Sequence, residues 1–256
     1  MARGPFPAFV VLSMAFGSVV LLMSTGVRWG VRRKVRTSFN GADYLEDSLA
    51  GNQTRYRVLA TSEETGGESF TVEILIREGA YGATRGKPGS QPGHLHLQQD
   101  EQLEVKKGRL GYWRGHPSLA AEVAADDEDA MVVIQQGEAH SLWNAGGEGG
   151  GDLLLEATFR PAGKGEAFYE TLAGLGHDYE TALAVSPLQK VLTYHRGGAV
   201  LTGMPQWLWR LCEEWLVPLA EGFGYKAFYP EYSTRAAGTP SAAEALASVR
   251  AELADY

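Results

Sequence analysis

Three histidines and one glutamate have the types and the spacing of a metal-binding site. His94 and His96 are separated by one residue, Glu101 follows after four more, and His140 lies 39 residues beyond Glu101. Side chains alternate between the faces of a β-strand, so a strand here would direct both imidazoles to one side. A turn-like run before Glu101 lets its carboxylate return to the same cavity. A Val/Ile run and a glycine turn precede His140, which we expect to enter from an opposite strand.

The donor set indicates which metal ions the site would hold. Imidazole and carboxylate suit Fe, Mn, Ni, Cu or Zn, whereas Mg and Ca prefer oxygen ligands alone. No thiolate belongs to the set, which argues against a closed structural zinc site. Four protein ligands on an octahedral ion leave about two positions open. We therefore expect one divalent transition metal, of unassigned identity, with room for O₂ or a chelating substrate oxygen.

The two segments that carry these residues resemble the two motifs of the cupin superfamily. The first motif corresponds to His94-x-His96, four residues, Glu101, six residues and Gly108. The second corresponds to Gly137, His140 and Asn144. The resemblance extends over roughly residues 45–165.

Two positions depart from the cupin pattern. Gln135 stands where the second motif has a proline, and the early glycine of the first motif is out of register, with Gly89 one place late. Both positions fall on turns, so they affect loop shape more than metal binding. The resemblance implies that His94, His96, Glu101 and His140 are the metal ligands and that the fold is a mainly β jelly-roll barrel.

The resemblance also implies an activity. Cupin sites with three histidines and one glutamate serve chiefly in oxygen chemistry, in dioxygenases and related oxidoreductases. Small cupins of this type occur in fungal secondary metabolism, where they are assigned as oxidoreductases of aromatic polyketide intermediates. We expect a metal-dependent, dioxygenase-like enzyme with a small, aromatic or polyketide-derived substrate. A cupin isomerase or lyase, and a non-catalytic barrel that binds a small ligand, remain as alternatives.

Four further residues near the motifs are candidates for supporting roles. Asn144 and Gln102 could orient a ligand imidazole through a hydrogen bond. Tyr112 and Trp143 could line an apolar pocket for an aromatic ring. A plain packing role remains open for each of the four.

Composition narrows the partners. The formal net charge of −8 disfavours nucleic acid, and the single cysteine, Cys212, excludes an internal disulfide. Because Cys212 lies in an apolar stretch, we expect a packed, inert thiol. The oligomeric state is open, with a dimer as one option.

Residues 5–27 contain no charged side chain and are followed at once by five basic residues between Arg28 and Arg36. Such a segment is long enough for a transmembrane helix, and the positive-inside rule places its C-terminal side in the cytoplasm. We expect a single-pass membrane protein with a cytoplasmic cupin domain. A cleaved signal peptide, with a secreted or luminal domain, is the alternative. The glycosylation acceptor sequence at Asn52 would be used only in that second case.

The rest of the chain divides by its hydrophobic pattern. We expect an anchor with its basic flank in residues 1–36, a linker in 37–54, the barrel in 55–163 and a helical C-terminal extension in 164–256. Alternating apolar residues in 70–77 and 153–160 predict half-buried strands. The pattern predicts helices at residues 166–175, 187–194 and 204–219, and Pro218 is expected to interrupt the third. Ser241 has the pattern of a capping residue for a final helix.

Overall fold

The computed structural model describes residues 36–47, 54–78, 92–146, 149–179, 185–203 and 205–235. Asn52, the predicted anchor at residues 5–27 and the predicted helix at Ser241 lie outside these residues.

In the described part of the chain, eleven strands form two antiparallel sheets. Their bounds are β1 Leu45–Asp47, β2 Thr54–Ala60, β3 Phe70–Ile76, β4 His94–His96, β5 Asp100–Lys107, β6 Arg109–Arg114, β7 Ala120–Ala124, β8 Met131–Ile134, β9 His140–Asn144, β10 Leu153–Arg160 and β11 Ala199–Leu201. One sheet has the order β1-β2-β3-β10-β5-β8, and the other has the order β11-β4-β9-β6-β7. The chain is therefore mainly β and has a cupin fold, as the motifs predicted.

The hydrophobic core is formed by the inward side chains that alternate along these strands. In β10, every second residue from Leu153 to Phe159 is buried, and the paired strand β3 buries Phe70, Val72 and Ile74 in the same way. The period-two pattern of the sequence thus marks the face that packs inward.

Among the described residues, three α-helices follow β10: α1 Gly165–Asp178, α2 Pro187–Gly197 and α3 Gln206–Gly222, with a short 3₁₀ helix at Pro230–Tyr232. The helices predicted at residues 166–175, 187–194 and 204–219 are present, but α3 continues through Pro218 instead of being interrupted there. Pro218 and Glu214, four residues earlier, are both exposed, so solvent can satisfy the carbonyl that proline leaves without its helical donor.

The part of the chain that was expected to be purely helical also contains a strand. β11 follows α2 after Gly198, which adopts a left-handed conformation with a φ of 72° and ends the helix. Three residues are too short a run for period-two alternation to indicate a strand, which is why the sequence pattern missed it.

The prediction of a single-pass membrane protein is wrong. Among the residues that the structure describes, no helix is long and apolar enough to cross a membrane. The longest, α3, has 17 residues and includes Arg210, Glu213 and Glu214, whereas a span needs about 20 predominantly apolar residues. The predicted cytoplasmic location of the cupin domain was inferred from that anchor, so it is not supported either.

A second buried cluster joins α1 to the 3₁₀ helix. The ring of Tyr232 is 1% exposed, and a Cβ at Gly174 would collide with it. The Tyr232 hydroxyl donates to Asp178 Oδ2 at 2.6 Å. Gly174 is thus required for the close approach of the two segments.

We predict that Gly174→Ala destabilises the fold by about 1–3 kcal/mol, the usual cost of overpacking a core. Gly222→Ala is the matched control, because it also changes a helical glycine but its Cβ would meet nothing within 4 Å. Urea unfolding followed by circular dichroism measures both variants. Equal stability of the two would contradict the packing described here.

Candidate metal centre

The four sequence-predicted ligands converge at one point. His94 and His96 lie on β4, Glu101 on β5 and His140 on β9, so that both sheets contribute. Each offers one ligand atom, and these atoms all lie within 4.8 Å of one another. Their side chains are buried, with His140 fully so.

Glu101 lies at the centre of this cluster. Its Oε2 is 2.9 Å from His140 Nε2 and 3.5 Å from His96 Nε2. The imidazole centroids of His94 and His140 are 4.2 Å apart, and those two residues are register partners in adjacent strands. The carboxylate therefore reaches the histidines from the opposite sheet.

Backbone carbonyls orient two of the imidazoles. His94 Nδ1 lies 2.9 Å from the Pro92 carbonyl oxygen, and His140 Nδ1 lies 3.0 Å from the Glu138 carbonyl oxygen. A carbonyl oxygen can only accept, so each Nδ1 carries the proton. Nε2 is then the nitrogen of each ring that is left for a metal ion, once it carries no proton.

The short strand β4 is held from both sides. β9 pairs with it at His94, and the Gly137 amide donates to the His96 carbonyl at 2.8 Å. On the other side β11 pairs antiparallel with all three of its residues, Val200 opposite Leu95. The C-terminal extension thus contributes directly to the position of two candidate ligands.

Burial and mutual charge set the protonation of the site. Burial, and then the neighbouring His140 and His96, lower the pKa of His94 to about 3, so this imidazole is neutral at physiological pH. Burial alone would raise the pKa of Glu101, but the interactions with His140 and His96 outweigh it and hold the pKa well below its usual range. Burial lowers the pKa of His140, but the Glu101 carboxylate raises it, and the net shift of this pKa is upward.

The cluster contains polar atoms that no other group satisfies. Among the described residues, both nitrogens of His96, both carboxylate oxygens of Glu101 and Nε2 of His140 are buried without a well-aligned hydrogen bond, and the 2.9 Å approach of Glu101 to His140 is a charge contact only. A buried polar atom without a partner costs about 1–3 kcal/mol. A divalent cation would satisfy several of them at once and displace the proton on His140. Residue types and unsatisfied atoms therefore both fit a transition metal.

Gln102 and Asn144, predicted as orienting residues, lie away from the imidazoles. Gln102 alternates with Glu101 along β5 and accepts a hydrogen bond from Arg160 at 3.2 Å. Asn144 donates to the carbonyls of Ile76 and Gly151, at 3.2 and 3.1 Å, and so braces the ends of neighbouring strands.

Tyr112 and Trp143, predicted to line the pocket, lie on different faces of their sheet. Tyr112 packs against the core cluster. Trp143 alternates with the inward-facing His140, Leu142 and Asn144, and a Cβ at Gly111 would collide with its indole. Trp143 therefore packs on the outer face. Cys212 is partly buried, and burial raises the pKa of its thiol, which agrees with an inert role.

Two aromatic residues that the sequence reasoning did not single out lie beside the site. Phe159, the register partner of Glu101, contacts the His96 ring edge-on at 5.5 Å. Tyr169 of α1 packs on Phe159 at 4.9 Å and makes no hydrogen bond to the described residues. Burial, and then the charge of Glu101, raise the pKa of Tyr169 well above its usual value. Phe159 follows the inward alternation of β10, a signal present in the sequence.

One curated protein and several solved structures are similar to parts of this chain. No family model matches the chain. "Oxidoreductase iacF" of Pestalotiopsis fici is 32% identical over 128 residues, which are 46% of this chain and 60% of that protein. The chain thus spans about 60% of the length of this curated relative.

Cupin proteins are also found among similar solved structures. A cupin-like protein of Thermotoga maritima has 18% identity and a TM-score of 0.33, with 50% of this chain and 79% of that chain covered. A sugar phosphate isomerase of the cupin superfamily from Silicibacter pomeroyi has 15% identity and a TM-score of 0.33, with 51% and 73% covered. These scores are low, so the fold assignment rests on the strand order and the motifs.

We predict that metal stabilises the protein through this cluster. After chelation, adding a divalent transition metal at about 100 times its Kd should raise stability by about 2.7 kcal/mol, measured by calorimetry. His96→Ala should abolish the rise, whereas His116→Ala, which changes an exposed histidine outside the cluster, should retain it. An undiminished rise in His96→Ala would place the metal elsewhere.

A second prediction concerns β11. Val200→Pro removes the backbone donor of the residue opposite Leu95 and should weaken metal binding about 10-fold or more, the scale of lost supporting contacts. Val200→Thr keeps the donor and the branched Cβ, and should bind metal as the wild type does. Titration calorimetry of the chelated proteins measures the affinities, and equal affinity in the proline variant would show that β4 needs no support from β11.

Proposed function

We propose that this chain is a metal-dependent cupin oxidoreductase, dioxygenase-like in its chemistry, that acts on a small aromatic or polyketide-derived molecule of secondary metabolism. The observation that carries the proposal is the buried His94, His96, Glu101 and His140 cluster with its unsatisfied atoms. The similarity to a fungal protein named as an oxidoreductase supports the reaction class.

The ligand residues would hold the ion through neutral imidazole nitrogens and one ionised carboxylate oxygen. The low pKa values of His94 and Glu101 keep both groups free of a competing proton at neutral pH. A transition metal bound by this set would supply open coordination positions for O₂ or for a chelating substrate oxygen. The three strands that carry the ligands are fixed by pairing, so the donor atoms are positioned before an ion arrives.

The surroundings of the cluster favour an aromatic substrate. Phe159 and Tyr169 pack beside His96, and the row of buried rings continues to Phe70, 5.9 Å from Phe159. These rings keep water from one side of the cluster and give it an apolar border that suits a planar aromatic substrate bound at the metal. The Tyr169 hydroxyl, which makes no hydrogen bond to the described residues, is protonated at neutral pH and can donate to a substrate oxygen.

We predict oxygen consumption by the metal-loaded full chain. The protein, reconstituted with Fe, Mn, Ni, Cu or Zn in turn, is incubated with a panel of phenolic and polycyclic aromatic compounds. An oxygen electrode and mass spectrometry follow O₂ uptake and product mass. We expect substrate-dependent uptake with at least one metal, reduced to background in His140→Ala and retained in His116→Ala.

Two outcomes would contradict the proposed reaction. Substrate turnover at an unchanged rate without O₂ would assign the site to isomerase or lyase chemistry. Tight binding of a panel compound without turnover under any metal would indicate a ligand-binding barrel.

A further inference from the structure

The buried tyrosines of this chain differ in what their hydroxyl groups contact. Tyr232 is buried, and its hydroxyl donates to Asp178 Oδ2 at 2.6 Å. Tyr229 is also buried, and its hydroxyl donates to Gln189 Oε1 at 2.6 Å. Tyr169 is 8% exposed, yet its hydroxyl makes no hydrogen bond to the described residues. Because a buried tyrosine usually finds a partner, this hydroxyl is left for a molecule from outside the chain.

The ring of Tyr169 is held in place by three phenylalanine rings. Its centroid lies 4.9 Å from that of Phe159, 5.8 Å from that of Phe168 and 6.1 Å from that of Phe70. Phe159 in turn contacts the His96 ring edge-on at 5.5 Å. A phenylalanine at this position could make the same ring contacts, so packing explains the ring of Tyr169 but not its hydroxyl.

The Tyr169 hydroxyl is close to the candidate metal centre and open to a small molecule. The Glu101 carboxylate and the phenols of Tyr56 and Tyr194 are near enough to raise its pKa. The hydroxyl oxygen is not one of the fully buried polar atoms without a partner, so part of its surface stays accessible. It is therefore both near the cluster and reachable, as a group that contacts substrate must be.

The charges around Tyr169 favour a neutral partner for its hydroxyl. Besides burial, one carboxylate and two phenols act on its pKa, with no lysine or arginine among them. Arg114, the register partner of His140, is exposed and donates to the Val133 carbonyl at 2.8 Å. A divalent ion and the ionised Glu101 leave a single net positive charge, which one ionised chelating oxygen of a substrate neutralises. A second anionic group would be buried without a counter-charge, whereas a carbonyl oxygen needs only a donor.

We propose that Tyr169 is a substrate-binding residue whose hydroxyl donates a hydrogen bond to a neutral carbonyl oxygen of the substrate, separate from the oxygens that bind the metal. The substrate class is then an aromatic ketone or quinone that also carries a metal-chelating oxygen. This inference rests on the proposed function, because it requires a small aromatic molecule at the metal centre. The hydrogen bond fixes the orientation of that molecule relative to the ion.

Zinc-loaded protein and three matched catechols test the role of Tyr169. Zinc has no redox chemistry, so binding is measured without turnover. The probes are 3,4-dihydroxyacetophenone, which has a neutral carbonyl, 4-ethylcatechol, which lacks it, and 3,4-dihydroxybenzoate, which has a carboxylate instead. In titration calorimetry, Tyr169→Phe should weaken binding of the ketone about 5- to 10-fold, the scale of one neutral hydrogen bond. The affinities of the other two probes should not change with the substitution.

Tyr232→Phe is the matched control, because it removes a hydroxyl that is already hydrogen-bonded within the chain. This variant should lower the midpoint of urea unfolding of the metal-free protein and bind all three probes as the wild type does. Tyr169→Phe should leave that midpoint unchanged or raise it, since it loses no hydrogen bond to the chain. Both variants should bind zinc with wild-type affinity.

The outcomes separate this inference from the proposed function. Equal binding of the ketone by the wild type and Tyr169→Phe would overturn the inference alone. So would a loss of the same size for 4-ethylcatechol or 3,4-dihydroxybenzoate, or a lower unfolding midpoint or zinc affinity in Tyr169→Phe, which would mark a structural role. A zinc-loaded wild type that binds none of the three catechols would overturn the proposed function, and the inference with it.

Discussion

The convergence of unsatisfied buried polar atoms on one point is the constraint around which the rest of the structure is arranged. Both ring nitrogens of His96, both carboxylate oxygens of Glu101 and Nε2 of His140 are removed from water without a hydrogen bond of good geometry. Such burial is unfavourable unless another group compensates it. Glu101 and His140 partly compensate each other at 2.9 Å, but one carboxylate cannot satisfy three rings. A divalent cation accounts for the whole set, which is why metal-dependent chemistry is the function that this site supports best.

The four side chains of the candidate site are positioned by strands that are distant from one another in the sequence. The pair His94–His140 joins β4 to β9, Glu101 comes from the facing sheet, and β11 closes the free edge of β4. The C-terminal extension therefore supports the candidate metal centre, since β11 borders the strand of His94 and His96 and Tyr169 of α1 packs on Phe159 beside His96.

The sequence predicted most of the fold and the four residues that come together at the candidate site, because both depend on local patterns. Period-two alternation identified β3 and β10, helical periodicity identified α1 to α3, and the His-x-His spacing placed two rings on one face. The contributions that it did not predict arise from tertiary pairing. β11 has too few residues for a period-two pattern to show. The carbonyls of Pro92 and Glu138 that orient the imidazoles belong to the backbone, so residue type does not reveal them. The outward direction of Trp143 can be assigned only once the strand register is known. Hydropathy alone has a limit here: the apolar run of residues 5–27 predicts a membrane span, but no described helix is long and apolar enough to form one.

The most direct test of the account is a crystal structure of the metal-loaded full chain with anomalous scattering recorded at the absorption edge of the bound metal. The account predicts one strong anomalous peak within about 2.0–2.3 Å of nitrogens from His94, His96 and His140 and of a Glu101 oxygen, as first-row metal–ligand bonds require. A peak at any other place, or none at the four side chains under saturating metal, would contradict it.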